Sequence, residues 1–170
     1  LDAAGTVMML VAGFGWGKPV PVDHPNLSQK QTGIALVAAA GPLSNLMVAF
    51  LLALPIKLRL LEFSGFALNR GARVMTGGPL DAMADILGMV IFFNILLAVF
   101  NLIPLSPLDG SKVLAGILPP SQANSYARLE RHGPVILIGI IAADYMLGLG
   151  ILWAIIGPVI HLLTSLAIGY

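Results

Sequence analysis

The sequence predicts an all-helical, polytopic membrane protein: one transmembrane domain over residues 1–170, built from about four to five transmembrane or re-entrant helices. Three observations carry this expectation. Hydrophobic residues make up 58% of the chain and charged residues only 10%, against about 25% charged in soluble domains. That is too little polar surface to cover a water-soluble globule, so membrane lipid is the expected surrounding. Apolar runs over residues 33–55, 82–103 and 134–168 each reach the ~20 residues a helix needs to cross a bilayer. The 19 glycines and 12 prolines are many for helices in water, but membrane helices tolerate both where neighbours satisfy the freed backbone groups. A net charge of +1 without a charged tail gives no case for nucleic acid. The absence of cysteine excludes disulfides, thiol catalysis and cysteine-ligated metal.

Residues 6–15 (TVMMLVAGFG) are apolar but too short to span, and read as the tail of an upstream helix or a re-entrant segment. No basic region precedes an apolar core ending in small residues, and the first residue is Leu1. There is thus no signal-peptide pattern, and the chain reads as beginning inside a longer protein. Lys18-Pro-Val-Pro-Val22 is expected to be extended, because each proline biases its predecessor away from helix.

The run 33–55 carries Ala38-Ala-Ala-Gly41, small enough for close backbone contact with another helix. Pro42 removes a backbone donor and is expected to kink or restart the helix. Asn45 lies one turn further on. Residues 56–78 read as a loop. Pro79 and Asp81 mark a helix start, with Asp81 and Asp85 where the helix dipole favours negative charge. The run 82–103 carries Asn94 and Asn101, seven apart on one face, and breaks at Pro104 and Pro107.

Residues 110–118 are expected to make a short helix stopped by Pro119-Pro120, and 121–132 are polar. As one helix, 134–168 would run ~52 Å, beyond the roughly 30 Å bilayer core, so a break is expected at Gly148-Leu-Gly150. Loop 56–78 carries four Lys/Arg and the facing segments five between them, no clear asymmetry for the positive-inside rule.

Asp109, in Asn101-Leu-Ile-Pro-Leu-Ser-Pro-Leu-Asp-Gly110, is the leading candidate for chemistry. A carboxylate beside the membrane end of a helix is costly and so points to function. Two readings stand open: a functional carboxylate, or a turn residue capping the next helix. Pro104–Asp109 is expected to be extended, long enough to turn the carboxylate back into the bundle or out to water. Asn45, Asn94 and Asn101 either line a polar cavity or hydrogen-bond between helices. His24, His132 and His161 show no metal-ligand spacing. Asp144 and His161 read as residues satisfied within the bundle, or as a pair lining a wet crevice. Trp16 and Trp153 read as interface anchors.

Three stretches occurring in order resemble the site-2 protease family of intramembrane zinc metalloproteases, in its compact prokaryotic branch without a PDZ domain. They are Phe14-Gly-Trp-Gly-Lys-Pro-Val-Pro-Val22, Ala40-Gly-Pro-Leu-Ser-Asn45 and Phe100-Asn-Leu-Ile-Pro-Leu-Ser-Pro-Leu-Asp-Gly110. The resemblance implies a Zn2+ site of three protein ligands and a water. Two histidines come from an H-E-x-x-H helix whose Glu is the general base, and Asp109 is the third ligand.

It further implies that Asn101, Asn45 and the freed backbone around Pro104 bind an extended transmembrane protein or peptide substrate, in a prokaryotic cell membrane. The chain contains no H-E-x-x-H, which in the family precedes the region matching Leu1. The resemblance therefore implies an N-terminally truncated sequence whose 170 residues alone are inactive and bind zinc weakly. The alternatives are a non-catalytic binding or regulatory homologue and, third, a small transporter using Asp109, Asp144 and His161.

Overall fold

The computed structural model describes residues 30–61 and 78–169. The chain divides into two units, Leu1–Lys30 and Gln31–Tyr170, and the architecture below is that of the second. The segments expected over 6–15 and 16–29, the stretch Phe14–Val22 and His24 lie outside the described residues.

Five helices follow in order: α1 Lys30–Lys57, α2 Pro79–Asn101, α3 Asp109–Ile117, α4 Pro120–Leu147 and α5 Ile151–Ile168. Among the described residues there is no strand. Three helices are long and apolar enough to cross a membrane, over 32–57, 79–101 and 151–168. The predicted all-helical class is thus what the chain adopts, with three helices fit by length and apolarity to cross a membrane.

α1 continues through Gly41-Pro42 as one helix. Pro42 donates nothing to the carbonyl one turn back, and its ring is fully buried. α2 starts as the sequence dictates. Pro79 is in its first turn, and the Asp81 carboxylate accepts from the Gly78 backbone N–H at 3.0 Å. That bond satisfies one of the free donors at the helix start. Pro104 lies beyond the end of α2 at Asn101, so it marks a terminus and not a bend within a helix.

One core joins α1, α2 and α5. Ala49, Ala53 and Ile56 of α1, Ile91, Ile95 and Val99 of α2, and Ile156, Ile160, Ala167 and Ile168 of α5 form a buried cluster. The α1 and α2 members fall at helical spacings of three and four, which places them on one face of each helix. The opposite faces are as apolar as the core. Leu36, Leu43 and Leu51 of α1, Ile86 and Phe93 of α2, and Ile155 and Leu162 of α5 are all exposed. A helix hydrophobic all round with only one face packed suits lipid contact. The Lys57 ammonium reaches the Leu166 carbonyl at 2.9 Å, tying the end of α1 to the last turn of α5.

The polar stretch 121–132, which reads as a connecting segment, is helical and continuous with the apolar residues after it. Ser/Gln/Tyr/Arg/Glu content does not oppose helix, and Pro120 in the first turn needs no backbone donor. The predicted break at Gly148-Leu-Gly150 is present. Gly148 (φ 62°) and Gly150 (φ 65°) are both left-handed, a conformation glycine takes without strain.

Asp144 bridges this break by accepting from the Ile151 N–H at 2.6 Å, which satisfies one free donor at the start of α5. It forms no pair with His161, which is exposed. Asp144→Ala should cost about 1–2 kcal/mol by losing this charged acceptor, and Asp144→Asn should keep most of it. Thermal unfolding in detergent, followed by helical circular dichroism, checks the order wild type, Asn, Ala.

Candidate functional site

The site is the turn from α2 into α3. Pro104 and Pro107 cannot donate to a helical ladder, so the segment after Asn101 leaves the helix, but it does not extend. The expectation of an extended Pro104–Asp109 is overturned: the segment coils. Ile103 N–H donates to Phe100 (3.1 Å), Leu105 N–H to Ile103 (2.8 Å), Leu108 N–H to Leu105 (3.0 Å) and Ser111 N–H to Leu108 (3.1 Å). Short-range turns pull the chain back against the end of the helix it has just left.

Gly110 makes that fold-back possible. A Cβ there would overlap the Leu102 and Ile103 carbonyl oxygens. Those are backbone atoms held in turns, so they have little freedom to move aside. The Leu-Asp-Gly sequence thus has a steric meaning, with glycine directly after the carboxylate because α3 begins against the end of α2.

Asp109 is the first residue of α3, and Leu108 takes the cap position without a side-chain bond. The alternative of Asp109 as a helix-capping side chain is therefore not what the structure adopts. Its half-buried carboxylate has no hydrogen bond or ion pair among the described residues. Its Oδ2 lies against α1, at 3.3 Å from where a Cβ on Gly41 would sit. The two motif stretches, Gly41-Pro42 and Leu108-Asp109-Gly110, therefore meet in space although 65 residues lie between Pro42 and Leu108. Gly41 leaves room for the carboxylate beside the helix backbone.

Asn45, one turn past Gly41, lies on the Gly41 face of α1 and is half-buried. Asn101 closes α2 and is also half-buried. Neither side-chain amide has a partner among the described residues. Asn94 differs: its amide donates to the Val90 carbonyl of its own helix at 2.8 Å, so its capacity is spent locally. Pro104 is exposed, and its carbonyl accepts from the Tyr126 phenol at 3.1 Å. His132 Nδ1 lies 3.1 Å from the Arg128 carbonyl in its own helix.

Sequence reasoning passed over a face of α4. Tyr126, Glu130 and Gly133 follow at spacings of four and three, on one side of the helix. Tyr126 bonds Pro104. Glu130 Oε1 lies 3.4 Å from the Ser111 hydroxyl, which donates to the Leu108 carbonyl at 2.8 Å. A Cβ on Gly133 would come within 2.5 Å of the Ser106 Cβ. The signal was available as an i, i+4, i+7 pattern in a polar stretch, but a Tyr/Glu/Gly pattern lacks the apolar periodicity that marks a packing face. Burial, and secondarily the Glu130 charge, raise the Tyr126 pKa above the ordinary phenol value.

Zinc takes three or four protein ligands, and a carboxylate supplies one of them well. Asp109 fits such a role: it is unpaired, half-buried and backed by a helix N-terminus. No group of three His, Cys, Asp or Glu comes together among the described residues, so these residues provide one donor and not a complete set.

Fold and site together define an all-helical protein with three candidate membrane spans and a carboxylate held at a helix turn between two of them. The chain is similar to the candidate zinc metalloprotease YwhC of Bacillus subtilis (strain 168), with 33% identity over 153 residues, covering 90% of this chain. The chain spans 65% of that relative's length. No family model matches the chain, and no solved structure matches it.

Three outcomes follow. Gly110→Ala should destabilise the α2–α3 turn by about 3 kcal/mol, because overpacking meets backbone and not a flexible side chain. Gly41→Ala should cost less, since the carboxylate can yield a few tenths of an ångström; chemical denaturation of both variants checks the order. With Tyr145 and Tyr170 replaced by Phe, the remaining phenol should titrate above ~10. Its tighter proton in the folded state is a stabilisation complete below ~10 and lost as pH rises through the folded value. Glu130→Gln should lower the phenolate midpoint without bringing it to the ordinary value, because burial is the larger cause.

Proposed function

We propose that this chain is part of a membrane-embedded zinc metalloendopeptidase of the site-2 protease type, with Asp109 as one protein ligand of the zinc. The observation that carries this reading is the unpaired Asp109 carboxylate held against Gly41. The similarity to a relative named for zinc metalloprotease activity and the three candidate spans support it. The other two ligands and the general base would come from an H-E-x-x-H helix outside these 170 residues.

Zinc, when bound, supplies Lewis-acid polarisation of a scissile carbonyl and a water whose pKa falls to ~7. The residues of this chain would do the rest. Asp109 presents an oxygen in a fixed place, because the turn, Gly110 and Gly41 leave its backbone little freedom. The half-buried amides of Asn45 and Asn101 offer a donor and an acceptor each to the backbone of an extended substrate. A substrate segment taken from lipid must unwind before its carbonyl is reachable, and its freed backbone groups then need such partners. Pro104 lends no donor of its own, and its carbonyl is already engaged by Tyr126. Its part in substrate binding would be to hold the turn open to one side.

The test uses the full-length protein in detergent and in liposomes with a membrane-spanning substrate. Wild type should hold stoichiometric zinc and cleave. Asp109→Ala should lose both while inserting and folding normally. Zinc retained by Asp109→Ala overturns the ligand assignment. A wild-type protein without zinc or cleavage favours a non-catalytic binding role on the same fold.

A further inference from the structure

The carboxylate of Asp109 is useful as a ligand only if its backbone is held still, and the short-range bonds of the turn carrying it leave the Pro104 carbonyl without a partner inside the turn. Its prolines, Pro104 and Pro107, remove two backbone donors. The Pro104 carbonyl receives its bond from outside the turn, from the phenol of Tyr126 at 3.1 Å. Four residues on, Glu130 lies beside Ser111, whose hydroxyl holds the Leu108 carbonyl immediately before Asp109. Three residues further, Gly133 lets the α4 backbone close on Ser106. One face of α4 thus grips the turn at its beginning, middle and end.

We infer that Tyr126 is a positioning residue for the Asp109 carboxylate, fixing the α2–α3 turn through the Pro104 carbonyl. The inference rests on the metalloprotease reading for its consequence, and on the turn geometry alone for its structural part. The phenol does not touch Asp109. It acts by denying the turn the alternative conformations in which Pro104 rotates away and α3 swings off Gly41. Outer residues that orient a metal ligand commonly change affinity ten- to a hundredfold when removed. A residue acting through the backbone belongs at the lower end, roughly tenfold.

Tyr126→Phe in the full-length protein tests this, since it removes the donor and keeps the half-buried ring. Tyr145→Phe, exposed on the same helix, is the control. Two readouts apply. Zinc affinity is measured by competition with a chelator. The turn's position is measured by spin-label distances between Leu36→Cys on α1 and Lys112→Cys on α3, both exposed in a chain without cysteine of its own.

The expected result is a zinc affinity weakened roughly tenfold and a broadened distance distribution, with helix content unchanged and Tyr145→Phe like wild type. An unchanged distribution overturns the proposal. So does a broadened distribution with zinc affinity intact. If wild type binds no zinc, the metalloprotease reading fails, and the distance distribution alone decides whether Tyr126 fixes the turn.

Discussion

The contact between Gly110 and the carbonyls of Leu102 and Ile103 sets most of what is distinctive here. α2 ends and α3 begins within eight residues, with two prolines in between. A chain leaving a helix at a proline has many directions open to it. Only a backbone without Cβ at position 110 can lie against the carbonyls of Leu102 and Ile103 just past the end of α2, and that direction carries Asp109 back to α1. The position of the carboxylate is therefore a steric consequence of the residue that follows it. Gly41 completes the arrangement from the other side, because a helix surface with a side chain there would push on Oδ2.

In a bilayer, which three of the helices are long and apolar enough to cross, a carboxylate without a partner is costly to maintain. The three candidate spans carry apolar side chains on nearly every face; some polar groups in and beside them find bonds nearby, while the buried Thr164 hydroxyl of α5 has no partner among the described residues. Asn94 bonds its own helix and Lys57 bonds the end of α5. Asp144 closes the break between α4 and α5. Against that background Asp109, Asn45 and Asn101, whose side chains have no partner among the described residues, stand out. In a membrane, unspent hydrogen-bonding capacity near the bundle is a functional signal, and these three residues lie on three helices, α3, α1 and α2.

Much of this was legible in the sequence. The three spans follow from length and hydropathy, and the Gly148-Leu-Gly150 break from the excess length of 134–168 over a bilayer. The start of α2 follows from Pro79 and Asp81. Asp109 is legible as an isolated carboxylate after prolines. What the sequence did not yield was the shape of the Pro104–Asp109 segment, because two prolines raise extended and turn propensities alike. Only the long-range contact at Gly110 decides between them. The helical character of 121–132 was hidden for a related reason. Its docking face is Tyr126, Glu130 and Gly133, which interact by a phenol bond, a hydroxyl contact and a missing side chain, not by apolar burial. The meeting of Gly41 with Asp109 depends on packing between helices, to which neither local propensity nor periodicity refers.

The most direct test of the central claim is X-ray absorption at the zinc edge of the full-length protein carrying Asp109→Cys. These 170 residues contribute no cysteine, so a new sulfur in the metal's shell relative to wild type can only come from position 109. If Asp109 is a zinc ligand, a sulfur scatterer should appear at about 2.3 Å. A shell identical to wild type, in a protein that still holds zinc, would contradict the account.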